Sequence, residues 1–532
     1  MTDVAFIMPL VFLFGGMKGA QTLLGDGDTG WHLRTGEWIL AHGRVPDCDI
    51  FSFTRAGQPW FAWEWLWDVA FGWLHRAGGM AAVLVASSVV LALTFALLFR
   101  LARWRSGNAL VALTVTLVAA GASAGHWLAR PHLFTMLFTV VFYAVLERSA
   151  EGPRERRWLW LLPPLTVLWT NLHGGFLAGI VLVAGYAASE FAILLRDVSA
   201  AERQAAMERG RAYLWTAAGC VLASFVNPYS YRLHAHILAY LSDGFYRGNI
   251  MEFQSLNFQS GQARFLEVLL VLGAAAALAE LRRGRLAWPL LFAAWAHLAL
   301  SSARHVEIYA LLAAPPVAKW LADGLRHAEE MRCARWLRAG VAELRDWTQE
   351  WHVFDRAPRC YLASAMAVAG LAAVLAGGRA AGGWRAEYDR KTYPVAAATW
   401  LEQAGIQRGV FTEDLWGGYL IYRDYPRVRV FMDGRSDFYG AEFAKQYIAA
   451  MRVEPGWERF LSRYGVDTVL LPEREPLAGT LRLASGWRLV FDDGVAVIFR
   501  AAGAPAPALA RAAAGAAGQA KLATKDIKEK PL

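Results

Sequence analysis

Over its first 376 residues the chain alternates between apolar stretches of membrane-crossing length and short polar runs, and then it changes character. A helix that crosses a bilayer needs about 20 mostly apolar residues, with a working range of about 17–25. Apolar runs near or somewhat below that length predict spans at 4–24, 80–101, 110–125, 133–146, 158–169, 176–195, 213–226, 265–281, 286–300, 308–321 and 361–376. The fold class is therefore a polytopic α-helical membrane protein with about eleven spans. Residues 4–24 have no basic stretch before them and no small-residue cleavage site after them, so they read as a retained helix.

The arginines orient these spans. Arg100, Arg103 and Arg105, then Arg148, Arg154, Arg156 and Arg157, then Arg196, Arg203, Arg209 and Arg211, then Arg282, Arg283 and Arg285 fall in one set of loops. The intervening turns at 126–132, 171–175 and 303–305 hold only Arg130 and Arg304. Basic loops stay in the cytoplasm, so the N-terminus is expected inside and everything after residue 376 outside. Residues 1–376 then form a transmembrane domain with a long first outer loop at 25–79 and a second at 227–264. The charged, amphipathic segment 326–359 is expected to lie along the inner surface.

Beyond the last span the period changes. Residues 394–404 open with proline at a first helical position. Short strands are predicted at 409–412, 428–432, 466–471, 487–491 and 495–499, with helices at 442–451 and 454–464. This predicts a small C-terminal α/β extracytoplasmic domain over 384–501. Residues 502–532 are rich in Ala, Gly and Pro and read as a disordered tail. No internal repeat marks the halves of a transporter.

Composition narrows the class. Of 532 residues, 56% are hydrophobic and 19% charged, with 24 tryptophans, against a globular norm of about 45–50% and about 25%. This excludes a disordered chain, a coiled coil, a small disulfide scaffold and an ordinary cytosolic enzyme. The net charge of +9 and pI near 9.4 sit in loops between apolar segments, so no nucleic-acid partner is expected. Four scattered cysteines form neither a zinc motif nor a disulfide framework.

Two groups of residues carry candidate chemistry. The first outer loop opens with Gly25-Asp26-Gly27-Asp28-Thr29-Gly30-Trp31-His32. Its carboxylates would serve as a general base toward an acceptor hydroxyl, or as ligands of a divalent cation, Mg or Mn, if the reaction needs one. They would otherwise cap the helix that begins near Trp31. Glu64 lies among four tryptophans and marks a pocket or meets a cation; most of the loop's tryptophans fit an interfacial belt. The second group lies in outer turns poor in other charge. Arg130 and His132, Asn171 and His173, and Arg304, His305 and Glu307 each bring imidazole, guanidinium or amide groups to a membrane boundary. Arginine pairs with phosphate through two charge-assisted hydrogen bonds, so these turns predict a phosphate site. In the C-terminal domain, Asp433 and Arg435 would contact an acceptor or pair with each other at a strand-to-loop turn. His32, Glu64, Asn171 and Glu307 complete the expected substrate-contacting set.

A carboxylate on one side and arginine and histidine on the other suit one reaction class. A sugar leaves a lipid phosphate while an acceptor hydroxyl attacks its anomeric carbon. The carboxylate takes the hydroxyl proton and the cations stabilise the departing phosphate. Single displacement inverts the anomeric configuration, and no nucleotide is needed.

With Asp26-Gly-Asp28 opening the first loop, Asp28-Thr-Gly-Trp-His-Leu, Val45-Pro46-Asp47, Phe51-Ser52, Trp416-Gly-Gly-Tyr-Leu and Asp433-Gly-Arg435, the chain resembles the GT-C superfamily of polytopic glycosyltransferases. The resemblance covers residues 1–501 and points to a bacterial branch. That branch is distantly like the protein O-mannosyltransferases, the lipid A aminoarabinose transferases and the oligosaccharyltransferase catalytic subunits. It implies an inverting transferase that takes its sugar from a polyprenyl-phosphate donor, with the base at Asp26 or Asp28; we favour Asp28. The Asp-Glu pair of the O-mannosyltransferases and the Trp-Trp-Asp signature of the oligosaccharyltransferases are both missing, which leaves the acceptor open among envelope glycan, lipid and protein. The expected location is the bacterial inner membrane, multi-pass, with the C-terminal domain periplasmic or extracellular. A transporter or flippase of lipid-linked saccharides, or a noncatalytic scaffold of envelope synthesis, is the alternative.

Overall fold

The structure is a computed structural model that describes residues 1–330, 339–340, 342–343, 346–347, 361–378 and 382–505. The chain divides into two compact units, Met1–Leu23 with Trp63–Ala386 and Leu24–Ala62 with Glu387–Leu532. Most of the expected inner-surface segment 326–359 and nearly all of the tail 502–532 lie outside the described residues.

The first unit is helical. Its core helix is Val306–Glu330, which packs on Trp65–Ser106, Ala109–Ser123 and Gly261–Arg282. From Tyr309 to Ala314 every residue of that helix is fully buried, as expected of a helix apolar on all faces. By length and composition, three helices of the described residues can cross a membrane, namely Trp65–Ser106, Ala109–His126 and Phe176–Ile193. Thr2–Gly16, Ala287–Ser301 and Leu362–Ala376 are apolar but shorter. The other expected spans fall on helices with more charge or less length, including Ala200–Ala223 and Gly261–Arg282. Even these keep large apolar side chains outward: Trp215 is 75% exposed, Leu222 70% and Val271 70%. Such faces fit a membrane protein, because lipid covers them and water does not.

Two glycines set the shape of the unit's ends. Within Trp65–Ser106, helical geometry lapses at Gly78 and Gly79, with Gly79 at φ 62°, and an aromatic leg is thereby separated from the apolar run that follows. The first predicted span is interrupted. Thr2–Val11 runs into a π-helical turn at Phe12–Gly16, the chain opens, and a short helix resumes at Ala20–Leu23. Gly19 takes the left-handed φ of 54° there, a conformation costly for residues with a Cβ. Lys18 lies in this break.

The second unit holds a four-stranded sheet: β1 Val410–Thr412, β2 Thr468–Pro472, β3 Trp487–Asp492 and β4 Ala496–Ala501. Their order is β1-β2-β4-β3. β1 and β2 are parallel, with helices Asp414–Asp424, Ala441–Met451 and Trp457–Arg463 in the crossover, and β4 runs antiparallel to both neighbours. The predicted strand at 428–432 does not join the sheet. Its Val430 makes a single parallel bridge with Ser52, through Phe53 N to Val430 O at 3.0 Å and Val430 N to Phe51 O at 3.1 Å. The apolar run thus covers the early segment of the unit, where its backbone groups find partners that the sheet does not offer.

Candidate functional site

In the first unit the polar turns come together. Arg130 Nη1 donates to Glu252 Oε1 at 3.1 Å, and Ser302 Oγ donates to the Glu252 carbonyl at 2.9 Å. The Arg304 guanidinium sits 4.6 Å from the centre of the Phe253 ring. The His132 and His173 rings are 6.4 Å apart, and His126 lies 6.1 Å from His132 on its other side. His132 Nε2 meets the His126 carbonyl at 2.5 Å. Two guanidinium groups, one carboxylate and several imidazoles thus share one neighbourhood.

Electrostatics divide their roles. Burial works against a charge on Glu252, but Arg130 and Arg304 outweigh it and hold the carboxyl down at about 2. Burial, followed by His132, Arg304 and Arg130, pushes His173 well below the ordinary imidazole value. Burial and Arg304 bring His305 down to about 4. At neutral pH the fixed charges are therefore two arginines against Glu252, with these two histidines acting as neutral donors and acceptors. Glu307 opens the core helix and is 4% exposed; its Oε2 is buried without a hydrogen-bond partner among the described residues.

His173 has a defined tautomer. Its Nδ1 faces the Gly175 N–H at 3.1 Å and Thr135 Oγ1 at 2.7 Å. The Gly175 contact requires Nδ1 to accept, which leaves the proton on Nε2. That nitrogen points to Glu64 Oε1, 3.6 Å away. Trp169 Nε1 donates to Thr135 Oγ1 at 2.9 Å, so the hydroxyl proton is directed at His173. Asn171 is bound up within the protein: its Oδ1 accepts from Trp65 Nε1 at 2.7 Å and its Nδ2 donates to the carbonyls of Val167 and Val226, both at 2.8 Å.

Glu252 was not singled out from the sequence. It is one of two acidic residues in the stretch 227–264, and that scarcity was the available signal. The tryptophans depart from the belt expectation as well. Trp31, Trp60 and Trp67 are 6%, 4% and 1% exposed, whereas Trp73 is 59% exposed. Large rings buried this deeply are packing residues.

In the second unit Asp26 and Asp28 are both half-buried. Asp28 begins the helix Asp28–His42. Its backbone N–H donates to Asp26 Oδ1 at 2.9 Å, and its own Oδ1 accepts from Trp31 Nε1 at 3.0 Å. Asp26 thus holds the first N–H of a helix that begins at Asp28, three residues before the start near Trp31 expected from the sequence, and Asp28 lies inside the helix without capping it. The Asp28 carboxylate lies against Gly434, where an added Cβ would collide with it. A Cβ on Gly27 would strike the carbonyl of Leu415, and one on Gly417 that of Met432. The three glycine motifs noted in the sequence are therefore one packing arrangement, in which Gly27 and Gly417 meet backbone carbonyls and Gly434 meets the Asp28 carboxylate. His32 is 1% exposed and stacks on Trp31 at 3.6 Å.

Asp433 and Arg435 adopt the internal pairing. They are 0% and 2% exposed. Arg435 Nε donates to Asp433 Oδ1 and its Nη2 to Asp433 Oδ2 and to Asp49 Oδ1, each at 2.7 Å. A metal is a poor fit to the acid pair. Each aspartate already directs an oxygen at an N–H, and among the described residues no three His, Cys, Asp or Glu side chains are grouped as ligands.

No protein-family model matches the sequence, and no curated protein matches it. Solved structures do. The apo oligosaccharyltransferase of Archaeoglobus fulgidus matches at a TM-score of 0.54 and 11% identity, over 95% of this chain and 75% of its own. The same archaeon's AglB, in complex with an inhibitory peptide and a dolichol-phosphate, matches at 0.56 and 12%, over 94% and 74%. A looser likeness, 0.49 at 14% identity over 93% and 97%, extends to ArnT from Cupriavidus metallidurans. These are glycosyltransferases of the GT-C superfamily.

Proposed function

On a chain with the fold of the GT-C glycosyltransferases, we propose an inverting transferase that moves a sugar from a polyprenyl-phosphate donor to an extracytoplasmic acceptor in a bacterial inner membrane. The observation that carries this reading is the meeting of Arg130, Arg304 and Glu252 with His132 and His173 in the first unit. Two guanidinium groups set among imidazoles in a partly buried place supply the forked, charge-assisted donors that suit a lipid phosphate. AglB, whose fold is similar, was solved with a dolichol-phosphate.

In this reading Arg130 and Arg304 bind the phosphate and stabilise it as it leaves. Neutral His132, His173 and His305 donate hydrogen bonds without adding charge. Glu64, 3.6 Å from His173 Nε2, and Glu307 face the sugar. Asp28 is the general base, and Asp26 fixes the helix start on which Asp28 rides. His32, Asn171, Asp433 and Arg435 are framework residues, since each is buried and engaged inside the protein. The helices with apolar outward faces lie in lipid in addition to the three long ones, giving a multi-pass topology near the eleven spans expected.

The test is donor binding. Arg304→Gln removes one charge-assisted contact, a change of about 1.5–3 kcal/mol, so affinity for a polyprenyl phosphate should fall about tenfold or more. Glu252→Gln removes the group that competes for both arginines and should leave affinity at or above that of wild type. Unchanged binding by Arg304→Gln, measured by titration into bilayer discs, would remove the phosphate assignment.

A further inference from the structure

The first unit has a second opening, remote in sequence from the turns described above. A cavity of about 730 Å3 lies where the last turns of Trp65–Ser106 and His132–Ser149 meet Leu161 and Tyr361. Leu101, Val141 and Leu161 supply apolar wall, and Arg100, Arg103 and Arg148 stand around it. That size falls within the range of lipid-sized and drug-sized ligand pockets.

Among the described residues, neither Arg100 nor Arg148 has a carboxylate partner; Arg100 Nη1 donates to the Tyr361 hydroxyl at 2.9 Å. Arg105, one turn further on, is by contrast paired to Glu147 at 2.7 Å. Trp104 and Trp158, also in the lining, are 37% and 40% exposed, as tryptophans at the headgroup level of a bilayer commonly are. One cavity thus offers apolar wall, tryptophans and guanidinium groups together, the three kinds of partner that the acyl chain, glycerol and phosphate of a phospholipid require.

We propose that this cavity is a binding site for an anionic phospholipid of the surrounding bilayer, with its acyl chain against Leu101 and Val141 and its phosphate at Arg100 and Arg148. These arginines belong to the loops that the positive-inside rule assigns to the cytoplasm, where anionic headgroups attract basic side chains. The proposal is independent of the transferase reading, since neither arginine has a part in it.

Native mass spectrometry of the full chain, with phosphatidylglycerol or phosphatidylcholine of the same acyl chains added, tests the assignment. Wild type should retain phosphatidylglycerol at least about fivefold better. Arg100→Gln with Arg148→Gln should abolish that preference. Arg211→Gln with Arg282→Gln, which loses the same charge from exposed positions outside the cavity, should keep it. Ala144→Trp fills the cavity with the arginines left in place and should also expel the lipid. Equal retention of the two lipids by wild type, an unchanged preference in Arg100→Gln/Arg148→Gln, or an equal loss in the control pair would overturn the site. If Ala144→Trp fails to fold, the arginine pairs decide the question alone.

Discussion

Asp28→Asn is expected to lower sugar transfer by about 10²–10⁴-fold, the range over which a positioned general base acts, while donor binding changes little. Asparagine is nearly isosteric. Its oxygen can still accept from Trp31 Nε1 and it fits the same space against Gly434, so the helix start should survive. What the substitution removes is the ability to take a proton from the acceptor hydroxyl. The loss should therefore appear in kcat at saturating donor, with the polyprenyl-phosphate affinity preserved. Gly434→Ala gives a second view of the same group, because the new Cβ would collide with the carboxylate. It should lower transfer by displacing the carboxylate while leaving its chemistry intact. Transfer at the wild-type rate by Asp28→Asn would assign the proton transfer to another residue.

Arg435→Ala should cost about 3–5 kcal/mol of stability in the second unit, the usual penalty for removing one partner of a buried ion pair. Among the described residues the guanidinium is the one counter-charge that Asp433 and Asp49 share, and both side chains are fully buried. It is also enclosed by rings, with Trp60 at 4.4 Å, Phe438 at 4.9 Å and Phe51 at 5.1 Å. Asp49 cannot turn to water, since its oxygens hold the backbone of Phe51 and the backbone and hydroxyl of Ser52. The substitution leaves two buried carboxylates and an aromatic hole, and it severs the tie between residues 49–60 and 433–439. Thermal unfolding of the full chain should report the loss, and proteolysis should begin near residue 55. Arg435→Lys should recover only part of it, because an ammonium cannot make the forked contacts. Full stability in Arg435→Ala would show the pairing to be incidental.

The helices were readable because apolar length is a direct physical requirement of a bilayer, and the change of period after residue 376 marked the small sheet in the same way. Partners were harder to read. The run at 428–432 has strand composition, yet its backbone pairs with Ser52, almost four hundred residues earlier, and alternation carries no information about which segment comes alongside. The glycines at 27, 417 and 434 stand in motifs far apart in the sequence, yet they share one site of close packing. Trp60 and Trp67 were misread because a tryptophan at an interface and one in a core look alike in sequence. Glu252 was missed for the opposite reason: one of two acids in a long polar stretch stands out only by scarcity, and its meaning appears once Arg130 and Arg304 are seen beside it.

The most direct measurement supplies purified full-length protein in a bilayer with polyprenyl-phosphate sugars and candidate glycan, lipid and peptide acceptors, without nucleotide, and determines the anomeric configuration of any product. The account predicts transfer with inversion. Movement of labelled lipid-linked saccharide between leaflets with no glycosylated product, or a product of retained configuration, would contradict it.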